Sequence, residues 1–228
     1  TLFKMKHNYF RIALLIFGIY GTLSAHNHDH LNVPDTESGL IQFIPNEGQW
    51  DSNILFKTRM NNGSIFWEEN QVTFLWYDGQ DLNNAYEIRH GKSTTPFEMN
   101  AHVWQMEFEG AQKAELTASK PLKHYYNYFS GKSKDKWVAQ VPSYQKLVYQ
   151  DLYNGIDLEF FQGSSGHLKY QFKVKAGSDF KTIEWKYKGV DSIWLEAGDI
   201  HYTTTVNKVA ETNLKAWQTI DGVKVPVS

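Results

Sequence analysis

The sequence predicts an all-β protein that is mostly antiparallel and patterned like a β-sandwich. Apolar and polar residues alternate without exception over Leu168–Lys175, which is the period of a strand with one buried face. No amphipathic helical period is found from Gly39 onward. Turn residues recur about every 8–12 residues, as in antiparallel meanders. They are Gly155, Gly166, Gly177, Gly189, Gly198 and Asn207.

The same alternation places the individual strands. Residues 64–68 and 71–77 predict a hairpin that turns at residues 69–70. The polar stretch 78–96 predicts loops around one irregular strand at 85–89. Further strands are expected at 102–108, with the even-numbered residues sharing a face, and at 114–118, 182–188, 192–196, 199–206 and 213–218.

The strands are expected to form one all-β domain over residues 39–228. A possible internal boundary lies near residues 119–121, where Ser-Lys-Pro interrupts the pattern, but nothing there is long enough to be a free linker. Residues 222–228 resemble the beginning of a strand. The sequence therefore predicts a domain that is truncated at its C-terminus.

The first 25 residues have the three-part layout of a secretory signal peptide. Basic Lys4, Lys6 and Arg11 precede an apolar run at 12–20, and small residues lead up to Ala25. This run is well short of the ~20 residues that a membrane-spanning helix needs. We therefore expect cleavage after Ala25, a secreted or cell-surface location and no stable membrane span in the mature chain.

Residues 26–38 predict a flexible, histidine-rich leader. Cleavage after Ala25 would put His28 third in the new chain, where the free amine, two backbone amides and the imidazole can bind Cu(II) or Ni(II) in a square plane. A metal site at His26 and His28 is one hypothesis, and a plain flexible leader is the alternative. No cofactor is expected in the domain itself.

Composition excludes several classes of protein. The 228 residues contain no cysteine, which excludes disulfide frameworks, thiolate metal sites and a cysteine nucleophile. With 23 basic and 25 acidic residues the chain has no basic footprint for nucleic acid. Of the 14 Phe, 13 Tyr and 8 Trp residues, five lie in residues 1–25. Most of the 30 that remain are expected in the core, which must stabilise an exported domain without disulfides.

Two kinds of site could give the domain an activity. Asp157 and Glu159 stand two apart on a predicted strand and share its outer face. A carboxylate pair is what a glycoside hydrolase needs, although a solvated strand surface shows the same pattern. Trp137, in a predicted loop, and Trp217, on a predicted strand, are the better candidates for exposed aromatic platforms on which sugar rings stack.

Short motifs in a fixed order cover most of residues 40–218. They are FIPNEGQW at 43–50, NYF at 127–129, Trp137, VPSY at 141–144, VY at 148–149, LYNGIDL at 152–158, the alternating strand and turn at 168–177 with Asp179, GDI at 198–200, Glu211 and AWQ at 216–218. Together these motifs resemble the uncharacterised N-terminal domain of Bacteroidota surface proteins. Two positions differ: Asn154 stands where that family often has proline, and Trp217 where it often has tyrosine.

In those proteins the domain precedes SBBP (β-propeller) repeats, PKD modules and a gliding-motility or type IX secretion C-terminal signal. The resemblance implies a non-catalytic structural or adhesive module of a larger secreted protein, with further domains beyond Ser228. Its partner would be a protein or glycan at the cell surface. A carbohydrate-binding domain is the alternative, and a glycoside hydrolase using Asp157 or Glu159 is a weaker one.

The motif at residues 46–50 is expected to be a structural turn. Gly48 permits a positive φ, and the side chains of Asn46 and Gln49 can satisfy backbone groups of the loop. Trp50 is expected to plug the end of the sandwich.

Overall fold

The structure, a computed structural model, describes residues 11–12, 16–21, 39–129, 134–220 and 223–227. It confirms the all-β class, with seventeen strands and one α-helix in these residues. The strands are β1 (Arg11–Ile12), β2 (Ile16–Gly21), β3 (Ile44–Pro45), β4 (Phe56–Met60), β5 (Gly63–Trp67), β6 (Gln71–Tyr77), β7 (Ala101–Phe108), β8 (Glu115–Tyr128), β9 (Val138–Tyr153), β10 (Ile156–Gln162), β11 (Leu168–Lys175), β12 (Trp185–Lys188), β13 (Ser192–Glu196), β14 (Asp199–Thr203), β15 (Lys208–Thr212), β16 (Trp217–Ile220) and β17 (Val223–Pro226).

The strands form two antiparallel sheets that face each other. Sheet A has eleven strands, in the order β13-β14-β15-β2-β11-β1-β16-β17, and β10, β9 and β8 extend it in turn from β11. Sheet B has six strands, in the order β12-β7-β6-β5-β4-β3. The sheets meet at one corner, where Phe43 and Tyr144 exchange backbone hydrogen bonds of 2.8 and 3.0 Å.

The N-terminal segment contributes two strands to the middle of sheet A. β1 pairs with β11 and β16, and β2 pairs with β11 and β15. Cleavage after Ala25 would remove both strands from the sheet. The rest of the predicted signal peptide and the leader at 26–38 lie outside the described residues.

Most predicted strands are found where the alternation places them. β5 and β6 form the expected hairpin, with Trp67 opposite Val72. The even-numbered residues of β11 are buried, and so are those of β7 from Trp104 onward, whereas His102 lies half-buried at the rim. The possible boundary at 119–121 falls inside β8, at the left-handed residue Lys120 (φ 59°).

The prediction of loops and a strand at 78–96 is wrong, because the helix α1 occupies Gly79–Arg89. The Asp78 carboxylate caps it by accepting hydrogen bonds from the backbone of Gln80 (2.8 Å) and Asp81 (3.1 Å). No residue of α1 is buried, so the helix has no apolar face that packs on the core. Its sequence therefore shows no helical period of apolar residues. No helix among the described residues is long and apolar enough to cross a membrane.

The turn at 46–50 forms largely as expected. Gly48 has a φ of 110°, and the Asn46 amide nitrogen donates to the carbonyl oxygens of Trp50, Asp51 and Ile54. The expectation that Trp50 plugs the end of the sandwich is wrong, because Trp50 is only half-buried. Its ring packs edge-on against Tyr128 at 5.4 Å and does not enter the core.

The core lies between the sheets and is mainly aromatic. Phe74 and Trp104, both in sheet B, stack with their ring centroids 3.9 Å apart. The ring centroids of Trp67 in sheet B and Phe160 in sheet A lie 4.5 Å apart. Aromatic rings bury large areas and gain further from edge and offset contacts. The largest fully buried side chains are Trp67, Trp104, Tyr149, Tyr170, Tyr202, Phe43, Phe74, Phe160, Phe172, Ile44, Ile65 and Met106.

One carboxyl group is buried in this core. Glu211, on β15, has no exposed surface, and its two oxygens accept hydrogen bonds from Tyr170 (2.6 Å) and Tyr187 (2.8 Å). Burial raises the pKa of Glu211 from 4.5 to about 7, and the two hydrogen bonds offset part of that rise. Burial and the adjacent Glu211 also raise the pKa of Tyr170, Tyr187 and Tyr202.

Glu211 should make the protein less stable as the pH rises. The folded chain holds this proton more tightly than the unfolded chain. The contribution of Glu211 to stability is therefore fully present below pH 4.5 and is lost as the pH rises through about 7. The free energy of unfolding should fall by roughly 3 kcal/mol over that window. Glu211→Gln should remove this fall in urea unfolding measured at a series of pH values.

Glu115→Gln, which changes an exposed carboxyl on β8, serves as the control and should keep the wild-type pH dependence. An unchanged fall in the Glu211→Gln protein would show that the buried carboxyl does not cause it.

Candidate functional site

The two predicted carboxylates lie on β10 in different surroundings. Glu159 is only 4% exposed, and one of its oxygens lies 2.6 Å from the ammonium groups of both Lys146 and Lys173. Gln171 donates a hydrogen bond to its other oxygen. Asp157 accepts a hydrogen bond from the backbone of Asp151 at 2.8 Å, which fixes the irregular pairing between β9 and β10.

These contacts give Glu159 a structural role. Burial alone would raise the pKa of its carboxyl, but the hydrogen bonds from Lys146, Lys173 and Gln171 outweigh burial and lower that pKa. Glu159 is therefore held ionised between two lysines. A glycoside hydrolase needs a carboxyl that carries a proton to the leaving group, and Glu159 cannot hold that proton near neutral pH.

The histidines do not converge on a metal site in the part of the chain that the structure describes. That part contains no group of three or more His, Cys, Asp or Glu side chains able to hold a metal ion. His102 binds the Thr205 hydroxyl (2.9 Å) and the Gly189 carbonyl (2.6 Å) at the rim of the sandwich. The hypothesis of a metal site at His26 and His28 lies outside the described residues.

Trp137 and Trp217 have different neighbours. Trp137 follows the short 3-10 helix Lys134–Lys136, and its ring contacts Phe129. Trp217 begins β16 and is half-buried, with the Lys224 ammonium 4.4 Å from the centroid of its ring. Because Trp137 is exposed (39%) whereas Trp217 is half-buried, Trp137 is the better platform.

Trp137 belongs to an exposed aromatic group at the end of the β8–β9 hairpin. We call this group the hairpin tip and define it as Phe129, Lys134 and Trp137. Its two aromatic side chains are 57% and 39% exposed, respectively, and the exposed Tyr125 lies further along β8, opposite Pro142. The rings of Phe129 and Trp137 lie 6.0 Å apart, and the Lys134 ammonium is 5.7 Å from the Trp137 ring centroid. The tip therefore presents aromatic faces beside a positive charge.

The hairpin is anchored to the body close to this tip. The Gln42 side-chain oxygen accepts a hydrogen bond from the Tyr126 hydroxyl at 2.6 Å. The Arg59 guanidinium lies over the Tyr126 ring at 5.7 Å, and Trp50 packs on Tyr128. Because residues up to 128 are held in this way, the tip is presented on a fixed base.

Sequence reasoning identified Trp137 but missed Phe129 and Tyr125 as surface groups. A usable signal was present for Tyr125. The even-numbered residues His124, Tyr126 and Tyr128 face the body of the protein, so the alternation of β8 turns Tyr125 away from it.

A cleft lies at one end of the sandwich, between the turns that follow β4, β10 and β14. We call it the turn cleft, and its volume is about 350 Å³. Phe74 and Trp76 form part of its apolar floor. Its rim carries polar side chains from all three turns, namely Asn61, Asn62, Ser165, His167 and Asn207.

Comparison with known proteins places the chain in a family. Residues 43–228 match the family model described as "Domain of unknown function (DUF7948)". Neither the curated proteins nor the solved structures contain a match. The matched region spans both sheets and includes the hairpin tip and most of the turn cleft. On this match over most of its length, the chain belongs to the DUF7948 family.

Proposed function

We propose that this chain is the exported, non-catalytic N-terminal module of a larger cell-surface protein, and that it adheres to carboxylated polysaccharide through the hairpin tip. The larger protein would be of the Bacteroidota kind, with SBBP repeats, PKD modules and a type IX secretion signal. The observation that carries the proposal is the pair of exposed rings, Phe129 and Trp137, with Lys134 beside them.

The chemistry of the tip supports a carboxylated sugar as the ligand. Tryptophan and phenylalanine faces stack on the apolar faces of sugar rings. Lys134, next to the Trp137 ring, supplies a positive charge where a uronate carboxylate would lie. Exposed aromatic groups lose water at little cost on binding, and aromatic anchors dominate many interfaces.

The buried carboxyl groups have structural roles, because each is already bonded to neighbouring side chains. Glu159 is enclosed by Lys146 and Lys173, and Glu211 by tyrosine hydroxyls. The third buried carboxyl group of the described residues, Glu68, accepts hydrogen bonds from Asn53 and Thr73, so all three already have partners. This arrangement favours a binding module over a hydrolase, which is the weaker alternative.

Export makes a prediction about the mature chain. When the full chain is expressed in a bacterial host, cleavage after Ala25 should yield a periplasmic protein that begins at His26. The intact mass of the periplasmic form measures this directly. Recovery of the uncleaved chain, with residues 11–12 and 16–21 retained as strands of sheet A, would contradict the proposed export.

Adhesion makes a prediction about the tip. The purified protein should be retained on immobilised alginate, a carboxylated polysaccharide, and less on neutral dextran. Trp137→Ala with Phe129→Ala should lower the affinity for alginate at least about five-fold, the effect of losing roughly 1 kcal/mol at an interface anchor. Retention should also fall with added salt, because the lysine contribution is screened.

The matched control is Phe180→Ala, which removes an equally exposed phenylalanine (58%) away from the tip. This variant should bind alginate like the wild type. Equal retention of the tip variant and the wild type on alginate would contradict the proposed adhesion through the hairpin tip.

A further inference from the structure

We propose that two copies of this chain pair through the edge strand β13 to form a symmetric dimer, in which sheet A continues from one copy into the other. Both the surface and the partner differ from those of the proposed adhesion. Three features of β13 carry the proposal: its exposed apolar face, its open backbone edge and the match of the strand with itself.

β13 extends sheet A beyond the cover of sheet B. Ile193 lies directly opposite the buried Tyr202 of β14, so Ile193, and with it Leu195 two residues on, lies on the side that faces the core. Sheet B ends near Tyr202, whose ring centroid lies 5.6 Å from that of Tyr187 on its last strand, β12. One strand further out, Ile193 and Leu195 are 47% and 76% exposed. Apolar side chains that a second layer would normally cover are thus left in water, which is typical of an interaction site.

The outer edge of β13 has open backbone groups. Among the described residues, β13 pairs with β14 alone. A two-residue turn at 197–198, with φ values of 51° and 88°, joins these strands, so Glu196 and Asp199 are a hydrogen-bonded pair. Hydrogen-bonded and non-hydrogen-bonded pairs alternate along an antiparallel ladder. The N–H and C=O groups of Ile193 and Leu195 therefore point away from β14, where a further strand can bind them.

The other end strands of the two sheets carry residues that oppose pairing. Lysine and proline discourage the addition of a strand, because lysine keeps its charge in water and proline lacks an N–H. β13 contains neither residue, so it is the edge that is open to pairing. The other described end strands carry Pro45 in β3, Lys120, Pro121 and Lys123 in β8, Lys186 and Lys188 in β12, and Lys224 and Pro226 in β17.

β13 matches a second copy of itself when the two strands run antiparallel about a two-fold axis at Trp194. Each Ile193 then lies opposite the Leu195 of the other copy, and both residues have the free backbone groups that the new ladder needs. The two Trp194 side chains meet at a non-hydrogen-bonded position, where cross-strand contacts are closest. Glu196 lies opposite the uncharged Ser192, so no carboxylate of β13 faces another.

Trp194 is already oriented for the contact across the axis. Its ring stacks on that of His201 in β14, with centroids 5.5 Å apart and planes inclined by 17°. The ring nevertheless stays 41% exposed. Because a neighbouring strand holds Trp194 in place, the ring loses little conformational freedom when a second Trp194 packs against it.

Analytical ultracentrifugation of the purified chain tests for the dimer. Two strands of five residues bury less than the roughly 1,200–2,000 Å² of a standard interface, so the dimer should be weak. The mean mass should rise from that of one chain toward that of two as the concentration is raised through the micromolar range. Leu195→Lys should raise the dissociation constant at least about ten-fold, since the symmetric interface loses the apolar contact and gains a lysine twice.

The matched control is Val223→Lys, because Val223 is also exposed (64%) and lies on β17, the end strand at the other side of sheet A. This variant should dimerise like the wild type, and thermal melts should show both variants folded. A chain that stays monomeric at every concentration would overturn the proposal. A dimer that survives Leu195→Lys, or that Val223→Lys dissociates, would overturn it too.

A disulfide on the axis tests the register of the two strands. The chain has no cysteine, so one introduced thiol meets no other protein thiol than its own copy. Residues at a non-hydrogen-bonded position have Cα atoms about 4.5 Å apart, which a disulfide can bridge. Trp194→Cys should therefore give a cross-linked dimer under mild oxidation, and Val223→Cys should stay mostly monomeric. Cross-linking of the two variants at equal rates would contradict pairing through β13.

Discussion

Tyrosine side chains that reach from one sheet to the other hold this fold together. The Tyr149 hydroxyl of sheet A donates at 2.9 Å to the carbonyl of Glu68, in the turn between β5 and β6 of sheet B. The Tyr153 hydroxyl donates to the carbonyl of Glu184, the residue before β12 of sheet B. From the other side, Tyr187 of sheet B donates to Glu211 of sheet A. Each ring fills the space between the sheets, and each hydroxyl bonds to the opposite layer. In a chain without cysteine, these contacts take the place of cross-links between the layers.

This way of joining the sheets limits what can be buried beside them. A buried hydroxyl or carboxyl group that makes no hydrogen bond destabilises the folded state, because its lost hydration is not replaced. Between the sheets, Glu211 bonds to two tyrosines. On the outer face of β10, the buried Glu159 bonds to two lysines. Elements outside the core do not have to follow this burial pattern. The edge strand β13 exposes Ile193, Trp194 and Leu195, and the helix α1 buries nothing.

The fold was predictable where one face of a strand is buried. Apolar and polar residues alternate along β5, β6, β7 and β11 because one face of each strand packs in the core. This alternation is visible in the sequence. The helix α1 was not predictable from periodicity, because its position depends on the Asp78 cap and not on an apolar face. The half-buried position of Trp50 was missed for a related reason. A motif shows that a turn forms, but not which layer its side chains meet.

The candidate sites were only partly predictable, because each depends on contacts between residues far apart in the chain. Trp137 was identified from its loop, yet its neighbour Phe129 lies across the hairpin, and that pairing needs the register of β8 and β9. The turn cleft joins residues from turns about a hundred residues apart, such as Asn62 and His167. Glu159 looked like a free surface carboxylate, since Lys146 approaches it from a different strand.

Native-state hydrogen exchange in increasing urea tests most directly whether the two sheets share one core. Backbone amides of β5 and β6 in sheet B, and of β10 and β11 in sheet A, should exchange only on global unfolding and reach the same opening free energy. Amides of α1 and β13 should open at lower free energy, since these elements lie outside the core. If β5 and β6 opened well below β10 and β11, the sheets would be separate cooperative units. The tyrosines between them would then not hold the fold together.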